Sequence, residues 1–325
     1  MLNTYLNIHG ESVHLQFGDS SVHDLLKEDF SYFAADTLTA DGLKITLVDK
    51  SPQWKTRFSL WGRTFYSGPK GHRRVSFFPG VWVDYQFEAG VADIYYKDAN
   101  LVYETCYQVL LSWVGERLDR RGIHRVHGLG VCQGGSGTLF LGASGTGKST
   151  VALQLLEEGE IKWLSDDVPF VTSSGVMLAF PQRIALREPP SNPDRNFRSF
   201  KRFRFGRKYI IGSDSFRSLI QPKAPLDRIV KMRRGSFVGT TKLSPLVTLL
   251  YLCRWLVVGH ETPQFWELFL RLEVKDVFYK LKILRSRIGL ALLLCRKVEM
   301  CGFVLSSERA KNPPVLLSLL GERCS

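Results

Sequence analysis

The sequence predicts an α/β protein with a small β-rich N-terminal domain, a central α/β core and a mainly helical C-terminal segment. Three observations support this prediction: apolar residues alternate with polar ones in the first hundred residues, a glycine-rich loop follows a short apolar run near residue 140, and helix-start signals recur after residue 243. We expect a domain at 1–100, a linking helix at 101–121, the core at 122–240 and the helical segment at 241–325.

Composition is that of a globular protein, with 44% hydrophobic and 23% charged residues in 325. The N-terminus lacks a signal-peptide pattern, and no uncharged apolar run is long enough to cross a bilayer. The six cysteines are scattered without a CxxC pair, which favours reduced thiols. We therefore expect a cytoplasmic protein without a membrane partner.

Positive charge is concentrated in one segment. The net charge is +13, and residues 195–234 carry thirteen Lys and Arg against two Asp, a local balance of +11. An excess confined to forty residues indicates a local anionic partner.

The N-terminal domain is predicted from period-two alternation, at Leu43, Ile45 and Leu47 and again from Val81 to Phe87, with turn residues at 67–71. The linking helix is predicted because the apolar spacing then becomes three to four residues. The residues on that helix face are Tyr103, Tyr107, Leu110, Val114 and Leu118.

The loop "GASGTGKST" fits the pattern G-x-x-x-x-G-K-[ST], whose backbone amides cradle phosphates. The apolar run "TLFL" precedes it and the helical pattern "STVALQLLEEG" follows, so strand, loop and helix come in the required order. Lys148 is expected to reach the outer phosphates, and the Ser149 hydroxyl to ligate Mg²⁺. The predicted nucleotide-binding residues are Gly142, Ala143, Ser144, Gly145, Thr146, Gly147, Lys148, Ser149 and Thr150.

Two adjacent acids end the next predicted strand, "IKWLSDDVPFV" at 161–171. A carboxylate there can hold Mg²⁺ or accept a proton from an attacking hydroxyl, and Asp166 and Asp167 together could divide those tasks. Asp166 lies eighteen residues after Lys148, which leaves room for one helix and one strand. Motor-type and transporter-type ATPases usually interpose more chain.

The C-terminal segment carries two helix-start signals. Ser244-Pro245 is an N-cap with proline at the first helical position, and Gly259 is a plausible stop. Thr262-Pro263 repeats the signal before "QFWELFLRL". The stretch "VFYKLKI" at 277–283 then alternates as a strand does.

The sequence "VHG" at 126–128, then "GASGTGKS", then "SDD" at 165–167 resembles the catalytic domain of the bacterial HPr kinase/phosphorylase group, which shares its nucleotide-binding core with phosphoenolpyruvate carboxykinase. His127 stands twenty-one residues before Lys148, as in that group. "FPQRIALRE" at 180–188 also resembles a strand of HPr-kinase-like proteins. The resemblance covers about residues 122–240.

The resemblance implies an ATP- and Mg²⁺-dependent serine kinase acting on a protein or peptide. It implies that Asp167 is the base, with Asp166 and Ser149 on magnesium, and that His127 tunes the carboxylates; by residue type alone, a satisfied core histidine is the alternative. The group's glutamate-arginine-glycine motif is absent, with Glu188 as a weak substitute. Arg233 or Arg234, in "KMRRG", is expected to contact phosphate or substrate. Relatives in the group form rings, so a homo-oligomer is an open expectation.

The basic stretch "FRSFKRFRFGRK" at 197–208 has three interpretations: a nucleic-acid-binding segment, a mobile loop over the active site, or a solvated flap. Without a recognition helix or zinc pattern, a nucleic-acid partner is disfavoured. Besides a kinase, the same loop is compatible with a nucleotide-binding regulatory protein or NTPase without phosphotransfer, and the basic stretch with a nucleic-acid-binding module.

Overall fold

The protein is seen here in a computed structural model, which describes residues 2–18, 20–37, 42–60, 62–97, 99–159, 161–190, 192, 195–202, 206–262 and 274–321. The chain forms two compact units. Unit 1 comprises residues 1–118, 199–208 and 263–276, and unit 2 comprises 119–198, 209–262 and 277–325.

Unit 1 is built on a mixed β-sheet. Its described strands are β1 (Leu2–Ile8), β2 (Glu11–Phe17), β3 (Ala34–Ala35), β4 (Leu43–Val48), β5 (Thr56–Leu60), β6 (Arg63–Tyr66), β7 (Arg73–Phe78), β8 (Val81–Gln86) and β9 (Val91–Tyr96). Their order in the sheet is β3-β1-β2-β4-β9-β8-β7-β6-β5. Two helices accompany them, α1 (Ser20–Asp29) and α2 (Ala99–Arg120).

The period-two patterns in this unit are confirmed. The stretch at residue 43 forms β4 and the one at residue 81 forms most of β8, while 67–71 lies in the turn between β6 and β7. The predicted helical face beyond residue 101 belongs to α2, where the Trp113 indole N–H donates to Phe87 O at 3.2 Å. That bond fixes α2 beside the end of β8.

Unit 2 holds a second mixed sheet. The strands and helices from residue 121 onward are β10 (Ile123–Arg125), β11 (Gly128–Gln133), β12 (Ser136–Leu141), α3 (Lys148–Glu157), β13 (Lys162–Asp167), β14 (Phe170–Thr172), β15 (Val176–Leu178), β16 (Arg183–Leu186), β17 (Arg198–Arg202), β18 (Gly206–Gly212), β19 (Lys223–Gly235), β20 (Gly239–Lys242), α4 (Pro245–Leu252), α5 (Val274–Lys297), β21 (Glu299–Ser306) and α6 (Asn312–Gly321). Most of β17, the start of β18 and the first three residues of α5 lie in segments that belong to unit 1. The sheet order is β10-β14-β15-β19-β12-β11-β13, and β21 pairs with β19 and β20.

Strand direction brings several chain segments to one edge of this sheet. Strand β11 runs antiparallel to both β12 and β13, so those two run in the same direction. Strand β19 is parallel to β12, and β21 is parallel to β19. These four strands therefore end at the same edge, where β11 begins. We call it the site edge; it carries Leu141, Asp167, Gly235, Ser306 and, at the start of β11, Gly128.

A buried ionic cluster ties unit 2 together. The Arg287 guanidinium on α5 donates to both oxygens of Asp119 at 2.8 Å, and His124 Nδ1 lies 2.8 Å from the same carboxylate. Arg287 also donates to Leu256 O at 2.9 Å, in a π-helical turn at Cys253–Val257 that follows α4. The cluster thus joins the end of α2, strand β10, helix α5 and this turn.

Three other sequence predictions meet the structure differently. The stretch 277–283 is helical, within α5, so the predicted strand is wrong. Buried residues of α5 recur at helical spacing along most of its length, at Asp276, Ile283, Arg287, Leu290 and Leu294, so a seven-residue window missed the period. The predicted helix over 264–272 lies outside the described residues. The basic stretch overlaps β17 and β18, its residues 203–205 lie outside the described residues, and its three interpretations stay predictions.

One smaller prediction is confirmed. Ser244 caps α4, since its hydroxyl accepts from Val247 N at 3.4 Å with Pro245 at the first helical position. Among the helices in the described part of the chain, none combines the length and the apolar character that a membrane span requires.

Asp119→Asn is expected to destabilise unit 2 by about 3–5 kcal/mol at pH 7, because it leaves the buried Arg287 cation without its charge partner. Burial alone would raise the pKa of Asp119, but Arg287, with His124 and Arg125, holds it well below the usual value. The ionised carboxylate therefore stabilises the fold above the ordinary pKa of about 4, and this stabilisation is lost as the pH falls below it.

Chemical denaturation at pH 7 and pH 3 measures both effects, and the difference between wild type and variant should shrink in acid. Asp227→Asn, at an exposed position on β19, is the control and should change stability by less than about 0.5 kcal/mol. Equal stability of wild type and Asp119→Asn at pH 7 would contradict the assigned role of the cluster.

Candidate active site

The glycine loop, residues 142–147, connects β12 to α3 at the site edge. Gly147 adopts φ 108° immediately before the helix, and a Cβ there would lie 2.6 Å from Leu305. Only glycine tolerates both constraints, because the left-handed region excludes most side chains and the neighbour leaves no room. The strand, loop and helix predicted from the sequence are thus confirmed as β12, a glycine loop and α3.

Lys148 is buried and folded back onto this loop. Its Nζ donates to Gly142 O at 2.5 Å and lies 3.2 Å from His127 Nε2. Burial lowers the pKa of Lys148, while the nearby carboxylates of Asp167, Asp166 and Glu261 oppose that shift. The lysine therefore stands between the loop and three acids, where it can interact with a further anion.

Asp166 is the buried member of the acid pair, with 3% of its surface exposed. The Ser149 hydroxyl donates a hydrogen bond to it, while Asp166 Oδ1 has no hydrogen-bond partner. Burial and the neighbouring Asp167 raise the pKa of Asp166 to about 6, against the opposing effects of Ser149, Lys148 and His127. A buried carboxylate oxygen left without a partner beside a hydroxyl fits a Mg²⁺ ligand pair.

Asp167 differs from its neighbour in exposure and backbone. Its side chain is 49% exposed, and its φ of 84° is unusual for a residue other than glycine. Successive side chains of a strand point to opposite faces, so the left-handed turn at the end of β13 lets both acids act on Lys148. Strain of this kind is found most often at functional sites.

His127 belongs to the same cluster. Its Nδ1 lies 2.9 Å from Asp167 Oδ1, an ion-pair distance without hydrogen-bond alignment. Its ring stacks on Trp255, with centroids 5.8 Å apart and planes at 17°. The sequence left open whether His127 acts on the carboxylates or is a satisfied core histidine. The structure places it at the site edge, beside Lys148 and Asp167.

A cleft of about 380 Å³ opens beside the glycine loop. It is lined by Arg233 and Arg234 from the end of β19 and by Tyr251, Arg254 and Trp255 from α4 and the turn after it. Both arginines between which the sequence could not choose therefore reach the same cleft. Their charge, with that of Arg254, makes the cleft suited to an anionic ligand.

Comparisons with known proteins add little to this geometry. No protein-family model matches the chain, and no curated protein does. Among solved structures, the Hpr(Ser) kinase/phosphatase from Coxiella burnetii is similar, with 11% sequence identity and a TM-score of 0.28, over 61% of this chain and 93% of that one. A likeness at this TM-score is too weak to indicate a function.

Sequence reasoning missed two charged residues of the site. The Glu261 carboxylate accepts from the backbone N–H of Ser144 at 2.6 Å, although Glu261 lies far along the chain without a motif around it. The Arg187 guanidinium lies against Gly145, where an added Cβ would meet Nη2 at 2.7 Å. Arg187 is the second-to-last residue of the 180–188 match, which is the signal that could have identified it. Its neighbour Glu188 pairs with Arg309 at 2.5 Å.

The described residues contain no group of three or more His, Cys, Asp or Glu that could hold a metal ion unaided. The Ser149 hydroxyl and the Asp166 carboxylate present two oxygens of the kind that can ligate Mg²⁺, and Mg²⁺ at nucleotide sites commonly takes its other ligands from phosphates and water. The residues present therefore fit magnesium bound together with a nucleotide.

Asp166→Asn is expected to stabilise the metal-free protein at pH 8 by on the order of 1–3 kcal/mol, because it removes a buried charge that repels Asp167. The raised pKa means that the folded protein pays to ionise Asp166 above about pH 6. The stabilisation should therefore be smaller at pH 5, where the carboxyl is mostly protonated.

Thermal denaturation in EDTA at pH 5 and pH 8 tests this prediction. Asp214→Asn, which removes an exposed carboxylate paired with Arg217, is the matched control and should show no such pH dependence. Destabilisation by Asp166→Asn at pH 8 would mean that the charge of Asp166 supports the fold.

Proposed function

We propose that this protein is an ATP-dependent kinase that transfers the γ-phosphate to a hydroxyl, the acceptor being a serine of a protein or peptide. The observation that carries the proposal is the meeting of three features at one sheet edge. These are an amide-rich glycine loop opening a helix, a buried carboxylate with an unpartnered oxygen, and an exposed carboxylate beside a histidine.

The glycine loop and the start of α3 supply the phosphate site. Backbone N–H groups and the positive end of the helix dipole attract phosphate oxygens. Lys148 is positioned to leave Gly142 O and bind an outer phosphate, because a phosphate oxygen is a stronger partner than a carbonyl. Arg233 and Arg234 add positive charge from the adjoining cleft.

Ser149 and Asp166 would hold Mg²⁺, consistent with their mutual hydrogen bond and with the orphan Oδ1 of Asp166. When bound, magnesium neutralises charge that develops on the phosphates during transfer. Metal binding would also remove the energetic cost of ionising a buried carboxyl, because the cation supplies the missing partner.

Asp167 is the base in this proposal. Its exposed carboxylate would accept the proton of the acceptor hydroxyl as the hydroxyl oxygen bonds to the γ-phosphorus and the bond from that phosphorus to the ADP oxygen breaks. His127, 2.9 Å from Asp167 and stacked on Trp255, holds that carboxylate in place. The serine acceptor rests on the sequence resemblance at 126–167.

The same geometry also supports a second function, a nucleotide-dependent switch without an acceptor. The glycine loop already engages a carboxylate from a distant turn, so nucleotide binding would move that turn. Transfer of label to an acceptor separates a kinase from a switch. The nucleic-acid interpretation of the basic stretch remains a prediction, which a salt titration of DNA binding tests.

Asp167→Asn is expected to lower phosphate transfer by at least about 100-fold and to leave the MgATP dissociation constant nearly unchanged, because the amide cannot take a proton but retains the shape of the side chain. γ-Labelled ATP with a library of serine-containing peptides measures transfer, ADP release measures hydrolysis, and calorimetry measures binding.

Lys148→Ala is the contrasting variant and should lose MgATP binding as well as transfer. Asp227→Asn should leave both unchanged. Hydrolysis without label transfer in the wild type would favour the switch, and absence of any heat with MgATP would refute both functions.

A further inference from the structure

We propose that Glu261 is a phosphate mimic: its carboxylate takes a glycine-loop amide that a nucleotide phosphate oxygen would use, and nucleotide must displace it to bind. The inference rests on the proposed function insofar as the loop is a phosphate site. It adds a residue and a conformational step that neither the loop motif nor the acid pair implies.

Glu261 contacts the glycine loop directly. Glu261 Oε2 accepts the backbone N–H of Ser144 at 2.6 Å, at the short end for an N–H···O bond and typical of a charged acceptor. Ser144 lies within the glycine loop, whose amides would otherwise donate to phosphate oxygens. The loop therefore already binds an anionic oxygen, supplied by this chain.

Glu261 also lies beside Lys148, the side chain that an outer phosphate would use, and beside His127. The same Oε2 lies 3.4 Å from His127 Nε2, and the carboxylate favours the charged form of Lys148. One oxygen thus meets the loop amide and the histidine, close to the lysine. A phosphate oxygen and a carboxylate oxygen cannot share these partners, because like charges at such distances repel strongly.

The turn that carries Glu261 has an unusual backbone conformation. Gly259 and Glu261 have φ of 70° and 60°, and Glu261 is one of three described residues other than glycine with positive φ. The turn is closed by the bond from Thr262 N to Gly259 O at 3.1 Å. The backbone of Glu261 is strained while its side chain contacts the loop. Release of the carboxylate from the loop would let this strain relax, which favours displacement.

The turn at residues 258–262 follows the π-helical turn, which side-chain contacts hold in place. Arg254 Nη2 lies 3.1 Å from His260 Nε2, and Leu256 O of the preceding π-helical turn accepts from the buried Arg287.

 The anchor on Arg287 keeps the π-helical turn in place, and the residues that follow are joined to it by the bonds from Val258 N to Cys253 O at 2.9 Å and from His260 N to Arg254 O at 3.2 Å. Displacement of Glu261 would therefore be a local movement, and Arg254, which lines the cleft, would lose its contact with His260 as the turn moves.

The test compares the affinity of the full-length protein for MgATP in four forms: wild type, Glu261→Ala, Glu261→Gln and Asp214→Ala. Isothermal calorimetry with MgATP, and separately with inorganic tripolyphosphate, measures the dissociation constants. Removal of the competing carboxylate in Glu261→Ala should tighten both ligands by about tenfold or more, since only the fraction of protein with the loop free can bind. Glu261→Gln, whose uncharged amide oxygen is a weaker acceptor, should lie between the wild type and Glu261→Ala.

Asp214→Ala removes one exposed negative charge elsewhere in unit 2 and controls for net charge. It should bind as the wild type does. Circular dichroism of each variant checks that the fold is retained, and the isosteric Glu261→Gln keeps the comparison informative if Glu261→Ala is unstable.

Hydrogen exchange supplies a second measurement that does not depend on activity. Addition of MgATP to the wild type should increase exchange at residues 258–262, because the turn is released, and decrease exchange in the glycine loop. In Glu261→Ala the turn should exchange quickly with or without nucleotide.

The outcomes separate this inference from the proposed function. Equal MgATP affinity in wild type and both Glu261 variants would overturn the mimic and leave the nucleotide site intact. Weaker binding in Glu261→Ala would also overturn it and make Glu261 a supporting ligand of the bound nucleotide. Absence of binding in every form, Glu261→Ala included, would refute the nucleotide site and the mimic together.

Discussion

The candidate site depends on one constraint, the direction of the strands in the sheet of unit 2. Because β12, β13, β19 and β21 run the same way, whatever follows them is delivered to a single edge, and the reversed β11 begins there. The glycine loop, the acid pair, the two arginines of β19 and His127 are thereby brought together from separate parts of the chain. Reversal of any one of these strands would carry its residues to the opposite edge of the sheet.

Bringing these groups to one edge places charges of both signs close together. Asp166 is buried with an unpartnered oxygen, and burial together with Asp167 raises its pKa. Within the loop, the Glu261 carboxylate accepts from the Ser144 amide, and Lys148 donates to Gly142 O. A buried carboxylate oxygen without a partner is the arrangement expected of a group that binds a cation. The ionic cluster around Asp119 ties α5 to the turn before Glu261 through Arg287.

Local features were predictable where the physical cause is local. The alternation in β4 and β8, the serine cap of α4 and the strand, loop and helix around Lys148 each follow from residues within a few positions of one another. The strand predicted at 277–283 failed for the converse reason, since the helical period of α5 becomes visible only over its full length. The proximity of Asp166 to the loop could likewise be inferred from an interval that holds only one helix and one strand.

The chain alone thus specified the chemistry of the site, a glycine loop with a lysine, a hydroxyl and two carboxylates, because these residues are close in sequence and their spacing limits the structures that can contain them. Tertiary structure decided which side chains share the site and in what state. It placed both Arg233 and Arg234 in the cleft, stacked Trp255 on His127, and set Glu261 on the loop amide. Such contacts join residues that lie far apart in the sequence, and no local pattern encodes them because they arise only when strands and turns pack together.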